Sequence, residues 1–310
     1  PIVLLIVIWA GGQMLKTQEW TQAVDKPIKA TIIQGNIPQE IKWSREQLYK
    51  TLALYQARTE EHWDSDLIIW PENAVTVFYH QAKTFFIDPL AKLAAQHNTE
   101  VLIGIPVMDK EKDEYYNGMA LLGKQEGFYY KRHLVPFGEY IPFEWLRGLI
   151  AAFDLPMSSF RPGPKSSELM NVSGQAIRLS ICYEDIFSTE VLENLPEARL
   201  LVNASNNAWY GDSFAPQQHL QIAQNRSLEF GRPTLRATTN GISALIDYKG
   251  RLTEQTPQFE EAVITVDVQP REGSTPYVKW GQKPLWILSL LMLLVWGYYR
   301  RVSFTNRRVN

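Results

Sequence analysis

The chain alternates short apolar runs with longer stretches in which apolar residues recur every three or four positions. The short runs read as strands buried on both faces, the longer stretches as amphipathic helices. KATIIQGNI (29–37), DLIIWPE (66–72), EVLIGIPVM, YYNGMALLG, GFYYKRHLV, IRLSICYE, RLLVNASNNAW, TLRATTNGISALID and AVITVDV predict strands, with Pro71 ending the second. Helices are predicted over 44–63, where Leu48, Leu52 and Tyr55 share a stripe, and over 84–97, with Phe86, Leu90, Leu93 and Ala94 at helical spacing. Two more are predicted over 188–195 and 215–231. No repeat, low-complexity tract or linker interrupts the series. Strands interleaved with helices predict an α/β sandwich with sheets inside and helices outside.

The pattern changes at both ends. PIVLLIVIWAGG is uniformly apolar but shorter than the ~20 residues a bilayer span requires, and it lacks the basic start of a signal peptide. We read residues 1–15 as the outer end of a transmembrane helix cut by the chain boundary. Near the other end, Leu285 to Tyr299 is apolar or aromatic apart from Ser289 and Gly297, and Arg300, Arg301, Arg307 and Arg308 follow. Lys283 can snorkel, and Trp280, Trp286, Trp296, Tyr298 and Tyr299 suit membrane interfaces. A transmembrane helix is therefore expected over 284–299, with a basic cytoplasmic tail over 300–310. Residues 25–280 are then expected on the outer face of a cytoplasmic membrane, periplasmic in a bacterium.

Composition adds little to this picture. Of 310 residues, 45% are apolar and 21% charged, enough to fill a sizeable core, and a net charge of -2 argues neither for a nucleic-acid surface nor for an acidic tail. One cysteine, Cys182, excludes an intramolecular disulfide framework. The five histidines form no metal-ligand spacing, and no glycine-rich loop for phosphate is present, so no metal or cofactor is expected.

Three predicted strands end in reactive groups: Glu72 in IIWPE, Lys131 in YYKRHLVPFGE and Cys182 in SICYE. Strand ends are held rigidly yet face a crevice. A thiol could attack a carbonyl carbon, Glu72 could take and return its proton, and Lys131 with the Tyr183 N–H could hold an oxyanion. Singly, each signal is weak: a cysteine at a strand end can be packing, a Glu after Pro a turn carboxylate, and a Lys beside Arg a solvated surface.

Glu72, Lys131 and Cys182 in this order resemble the Glu-Lys-Cys triad of the nitrilase (carbon–nitrogen hydrolase) superfamily. IIWPENA, KRHLVPFGEYIP, DLPMSSFRPG, ICYEDIF, SNNAWYG and the TPY…W…PLW run resemble, more narrowly, the apolipoprotein N-acyltransferase family. The resemblance implies a nitrilase-like α-β-β-α sandwich flanked by transmembrane segments, in a monomeric enzyme of the bacterial inner membrane that needs no cofactor. It implies ping-pong transfer of an acyl chain from a phospholipid, through a Cys182 thioester, to the α-amine of the diacylglyceryl-cysteine that begins an apolipoprotein. By the same match Glu139, Tyr183, Glu184, Asn117 and Trp43 fall on supporting positions. Asn207 stands where the family leads one to expect an acidic residue, and the large bundle of membrane helices that precedes the family's catalytic domain is expected to be missing here. Two other functions remain open from sequence: a membrane-anchored amidase that lets water resolve the thioester, and an inactive scaffold.

The stretch from Pro136 to Ser159 is unusually apolar for a loop. Phe143, Trp145, Leu146, Leu149, Ile150 and Phe153 are expected to form an amphipathic arm that lies on the bilayer and gates acyl chains; an ordinary core helix is the alternative.

Overall fold

A computed structural model of the chain describes residues 2–15, 17–141, 160–165 and 168–306. The expected amphipathic arm, with Phe143, Trp145, Leu146, Leu149, Ile150 and Phe153, lies outside the described residues, as do Arg307 and Arg308.

Helix α1 (Ile2–Leu15) leads to a short strand β1 (Thr21–Ala23), then β2 (Ile28–Gln34), α2 (Gln39–Lys42), α3 (Arg45–Glu60) and β3 (Leu67–Ile69). Next come α4 (Tyr79–Ala82), a wide π turn over Lys83–Ile87, α5 (Asp88–His97), β4 (Glu100–Asp109), β5 (Glu114–Leu122) and β6 (Gly127–Tyr130). The second half runs β7 (Met170–Val172), β8 (Gln175–Ile181), α6 (Ser188–Leu192), β9 (Leu200–Ser205), α7 (Ala215–Phe230), β10 (Thr234–Thr238), β11 (Ala244–Ile246) and β12 (Leu252–Gln255). It closes with β13 (Ala262–Val268), β14 (Arg271–Gly273), α8 (Pro276–Trp280) and α9 (Lys283–Asn306).

Two six-stranded sheets form, ordered β13-β2-β3-β4-β5-β6 and β12-β11-β10-β9-β8-β7. The central strands β2, β3 and β4 are parallel, and so are β8, β9 and β10. This explains their continuous apolar runs, because both faces of each sheet are covered. Ile28, Ile32, Leu67, Leu102 and Met119 of the first sheet meet Ile177, Leu179, Leu200, Val202 and Leu235 of the second in one core. The outer face of the first sheet packs Ile33, Ile68, Val101 and Ile103 against Leu48, Leu52 and Tyr55 of α3 and Leu90 of α5. On the far side Leu201 packs with Val191 of α6 and Phe230 of α7. The order is therefore helix, sheet, sheet, helix, as expected.

Several strands are shorter than the apolar pattern predicts. GFYYKRHLV is strand only to Tyr130, IRLSICYE only to Ile181, and RLLVNASNNAW only to Ser205. TLRATTNGISALID is two antiparallel strands rather than one. Just past these strand ends lie the buried polar residues Lys131, Glu184, Asn206 and Thr239. Strands β1, β7, β12 and β14 carry too few apolar residues to stand out in the sequence.

The terminal helices do not join the core. No residue of α1 is buried, and every large apolar side chain from Leu285 to Tyr299 is more than half exposed. Among the described residues no helix is long and apolar enough to cross a membrane.

Candidate active site

The three reactive residues follow β3, β6 and β8, at the carboxyl ends of strands that run the same way within each sheet, and there they converge. Pro71 removes a ladder donor and turns the chain after β3, which brings Glu72 inward. Gly104 on the neighbouring β4 makes that turn possible. A Cβ there would sit 2.1 Å from the Pro71 carbonyl oxygen and 2.7 Å from the Glu72 Cα. Gly104→Ala is therefore expected to cost about 1–3 kcal/mol in urea unfolding. By displacing Glu72 it is also expected to lower turnover about a hundredfold.

All three side chains are almost fully buried. Lys131 Nζ lies 3.2 Å from Glu72 Oε1 and 2.9 Å from Glu139 Oε1. The Asn117 side-chain amide donates to both carboxylates at 2.7 Å, and the Asn206 backbone N–H donates to Glu72 Oε2 at 2.8 Å. Burial penalises the Glu72 carboxylate, but the Lys131 ammonium and these donors outweigh it and hold the group below the ordinary range for Glu. Burial likewise works against the Lys131 ammonium, yet Glu72, the Cys182 sulfur and Glu139 keep it charged well beyond its usual pKa. The Cys182 thiol moves the other way: burial first, then the negative charges of Glu72 and Glu139, push it far up despite Lys131. At neutral pH the site therefore holds a protonated thiol beside an ionised carboxylate and an ammonium. Such a site can attack a carbonyl carbon only if the thiol proton leaves as the bond forms.

Cys182 opens a 3₁₀ turn (Cys182–Ile186) with φ of 55°, in the left-handed region. A residue other than glycine there costs on the order of 1–3 kcal/mol, so its surroundings must hold it. Glu184 does part of this. One of its carboxylate oxygens accepts from the Ile181 N–H at 2.6 Å and from Tyr129 at 2.8 Å, the other from the Arg132 and His133 N–H groups at 2.6 and 3.1 Å. It ties the end of β8 to the segment that follows Lys131. Glu139 ties the same segment back on itself through the Val135 N–H at 2.8 Å. The Tyr183 ring lies 5.6 Å from Lys131 Nζ, and its hydroxyl donates to the Leu134 carbonyl at 2.6 Å.

Of the eight residues singled out in the sequence, seven are gathered here. Trp43 is the exception: it is half-buried at the end of α2, its indole N–H has no partner, and no described hydrogen bond or ring contact joins it to the other seven. Its neighbour Lys42, missed in the sequence, reaches inward instead. Lys42 Nζ donates to the Glu72 carbonyl at 3.2 Å and to Thr239 Oγ1 at 3.4 Å. Burial pulls its pKa down to about 8, against the opposing field of Glu72. The unfolded chain therefore holds this proton up to about pH 10.4, whereas the folded chain releases it near 8. Folding stability from this group is expected to rise with pH across that window by about 3 kcal/mol, and Lys42→Met should abolish the rise in urea titrations at pH 7 and 10.5.

A second polar layer, also missed, lies beneath Cys182. Ser180, Asn203 and Arg236 stand in register on β8, β9 and β10. Arg236 Nη1 donates to Asn203 Oδ1 at 2.7 Å and lies 3.6 Å from Asp185. Asn207 is buried with its side-chain oxygen 3.5 Å from Arg236, so the neutral amide stands beside a guanidinium already faced by Asp185. Polar residues inside otherwise apolar buried strands were the available signal for this layer.

The carbon–nitrogen hydrolase family model matches residues 29–277, which include all the site residues above. The chain is 44% identical over 279 residues to a Methylococcus capsulatus protein named apolipoprotein N-acyltransferase, covering 90% of this chain and 55% of that one. A Pseudomonas syringae protein of the same name is 42% identical over 295 residues, covering 94% and 58%. The chain thus spans little more than half the length of these relatives. Among solved structures, Nit3 of Saccharomyces cerevisiae, from the nitrilase superfamily, matches with a TM-score of 0.59 at 16% identity, over 80% of this chain and 93% of that one. A Helicobacter pylori carbon–nitrogen hydrolase matches at 0.58 and 15%, over 78% and 89%. The helix-sheet-sheet-helix order, the convergent strand ends and the family match lead to one conclusion: the chain belongs to the carbon–nitrogen hydrolase family.

Proposed function

We propose that this chain is the catalytic part of an apolipoprotein N-acyltransferase of the bacterial inner membrane. The observation that carries the proposal is the buried cluster of Cys182, Lys131 and Glu72, in a chain whose curated relatives bear that name. The exposed apolar helices α1 and α9 support a membrane setting, with residues 25–280 as the periplasmic catalytic domain. On the segments that bear the site residues, Phe137, Ile186, Trp209 and Phe214 are exposed, which supports an apolar acyl donor.

In the first half-reaction Cys182 Sγ attacks the ester carbonyl of a phospholipid while Glu72 takes the thiol proton. Lys131 and the Tyr183 N–H hold the oxyanion. The tetrahedral adduct collapses, the C–O bond breaks, and the lysophospholipid oxygen takes the proton from Glu72. In the second, the α-amine of a diacylglyceryl-cysteine attacks the thioester, Glu72 takes its proton, and sulfur leaves and is reprotonated. Glu139 and Asn117 orient Lys131 and Glu72 throughout, and Glu184 holds the nucleophile's turn.

Incubating the full-length protein with dipalmitoyl phospholipid vesicles is expected to leave a palmitoyl adduct on Cys182, read by peptide mass spectrometry. The adduct should persist until a diacylglyceryl lipopeptide is added, which then gains the acyl chain. Prompt release of free fatty acid without acceptor would favour an amidase-like hydrolase instead. Transfer that continues in Cys182→Ala would overturn the proposal.

A further inference from the structure

Cys182 holds an unfavourable backbone conformation, and its own carbonyl oxygen is gripped from two directions. Asn203 Nδ2 donates to it at 2.9 Å from β9, and His219 Nε2 reaches it at 3.1 Å from α7. His219 Nε2 also lies 2.9 Å from Asp185 Oδ1, within the turn that Cys182 opens. Both neighbours of Nε2 are acceptors, so this nitrogen carries the proton and donates to both. The Asn203 amide is oriented just as firmly: its oxygen accepts from Arg236 and from Ser205 Oγ, each at 2.7 Å, which leaves Nδ2 for Ser180 Oγ and the Cys182 carbonyl. His219, Asn203 and Asp185 are all buried.

A trans peptide is planar, with its C=O and N–H pointing in opposite directions. Fixing the Cys182 carbonyl therefore fixes the direction of the Tyr183 N–H, the backbone donor next to the nucleophile. We infer that His219 and Asn203 are positioning residues that clamp the Cys182 carbonyl and thereby aim the Tyr183 N–H at the developing oxyanion. The clamp draws on β9, α7 and the turn itself, so the angle of the donor is set by three elements that do not depend on substrate. This inference rests on the reading of Cys182 as the nucleophile.

Acylation develops an oxyanion and alkylation does not, so the two reactions separate the clamp from simple thiol exposure. The full-length protein is acylated with p-nitrophenyl butyrate, releasing p-nitrophenolate, and in parallel alkylated at Cys182 with iodoacetamide. In His219→Leu, acylation is expected to slow about a hundredfold at unchanged KM, the scale of one lost oxyanion donor. Alkylation should stay within about threefold, since no oxyanion forms there. His219→Gln, which keeps an N–H at similar reach, should restore acylation to within about threefold of the wild type. If His219→Leu does not fold, His219→Asn replaces it, because its amide is too short to reach the carbonyl. Equal slowing of both reactions, unchanged acylation in the variant that lacks the donor, or no rescue by Gln would overturn the clamp. Acylation that survives Cys182→Ala would instead remove the underlying reading of the nucleophile.

Discussion

Replacing Cys182 with serine is expected to lower acyl transfer by at least about 10³-fold while leaving the fold intact. Serine fits the same turn, so the loss comes from chemistry. Glu72 is a weak base here, because Lys131, Asn117 and the Asn206 N–H stabilise its ionised form against the penalty of burial. Such a base can take a proton from a thiol during attack, but a hydroxyl is far less acidic. The surroundings already oppose a resting thiolate, through burial and the charges of Glu72 and Glu139, and they would oppose an alkoxide more. The same electrostatics fix the sign of the pH dependence. In the proposed mechanism Glu72 acts in its ionised form, and its pKa lies below the ordinary 4.5. The acid limb of kcat/KM should therefore fall below pH 4.5, and a limb between pH 5 and 7 would show that a different group is the base.

Removing Lys131 should have the largest effect on the protein as a whole. Lys131→Met leaves Glu72 and Glu139 buried with no ammonium between them, although the Asn117 amide still bonds both. Stripping the partner from a buried ion pair costs about 3–5 kcal/mol. Urea unfolding at pH 7 should show this loss, and part of it should return on acidification as one carboxylate takes a proton. The double variant Lys131→Met with Glu139→Gln should recover stability at neutral pH but no turnover, since the oxyanion still lacks its cation. Equal stability of Lys131→Met and wild type at pH 7 would mean that the pair contributes nothing net.

The residues read from sequence and those found only in three dimensions differ in kind. Glu72, Lys131 and Cys182 stand at the ends of apolar runs, where a break in hydrophobic pattern coincides with a reactive group. Lys42 gives no such signal: it lies in a four-residue helix, and nothing local distinguishes it from a surface lysine. His219 is equally silent, because it occupies one position on a helix whose partner, the Cys182 carbonyl, is 37 residues away in the chain. Asn203 was legible only as a polar residue in a buried strand, with no hint that it faces Arg236 on one side and Cys182 on the other.

The sequence by itself determined the layered architecture, because continuous apolar strands and period-3.6 helical stripes can be buried in few ways. It also offered three reactive groups at strand ends, which the resemblance to a Glu-Lys-Cys triad singled out for the proposed chemistry. Only the tertiary structure decided their charge states and aim. Those depend on burial, on fields from residues far apart in the chain, and on donors such as the Asn206 N–H that every residue type but proline carries and that composition therefore cannot reveal.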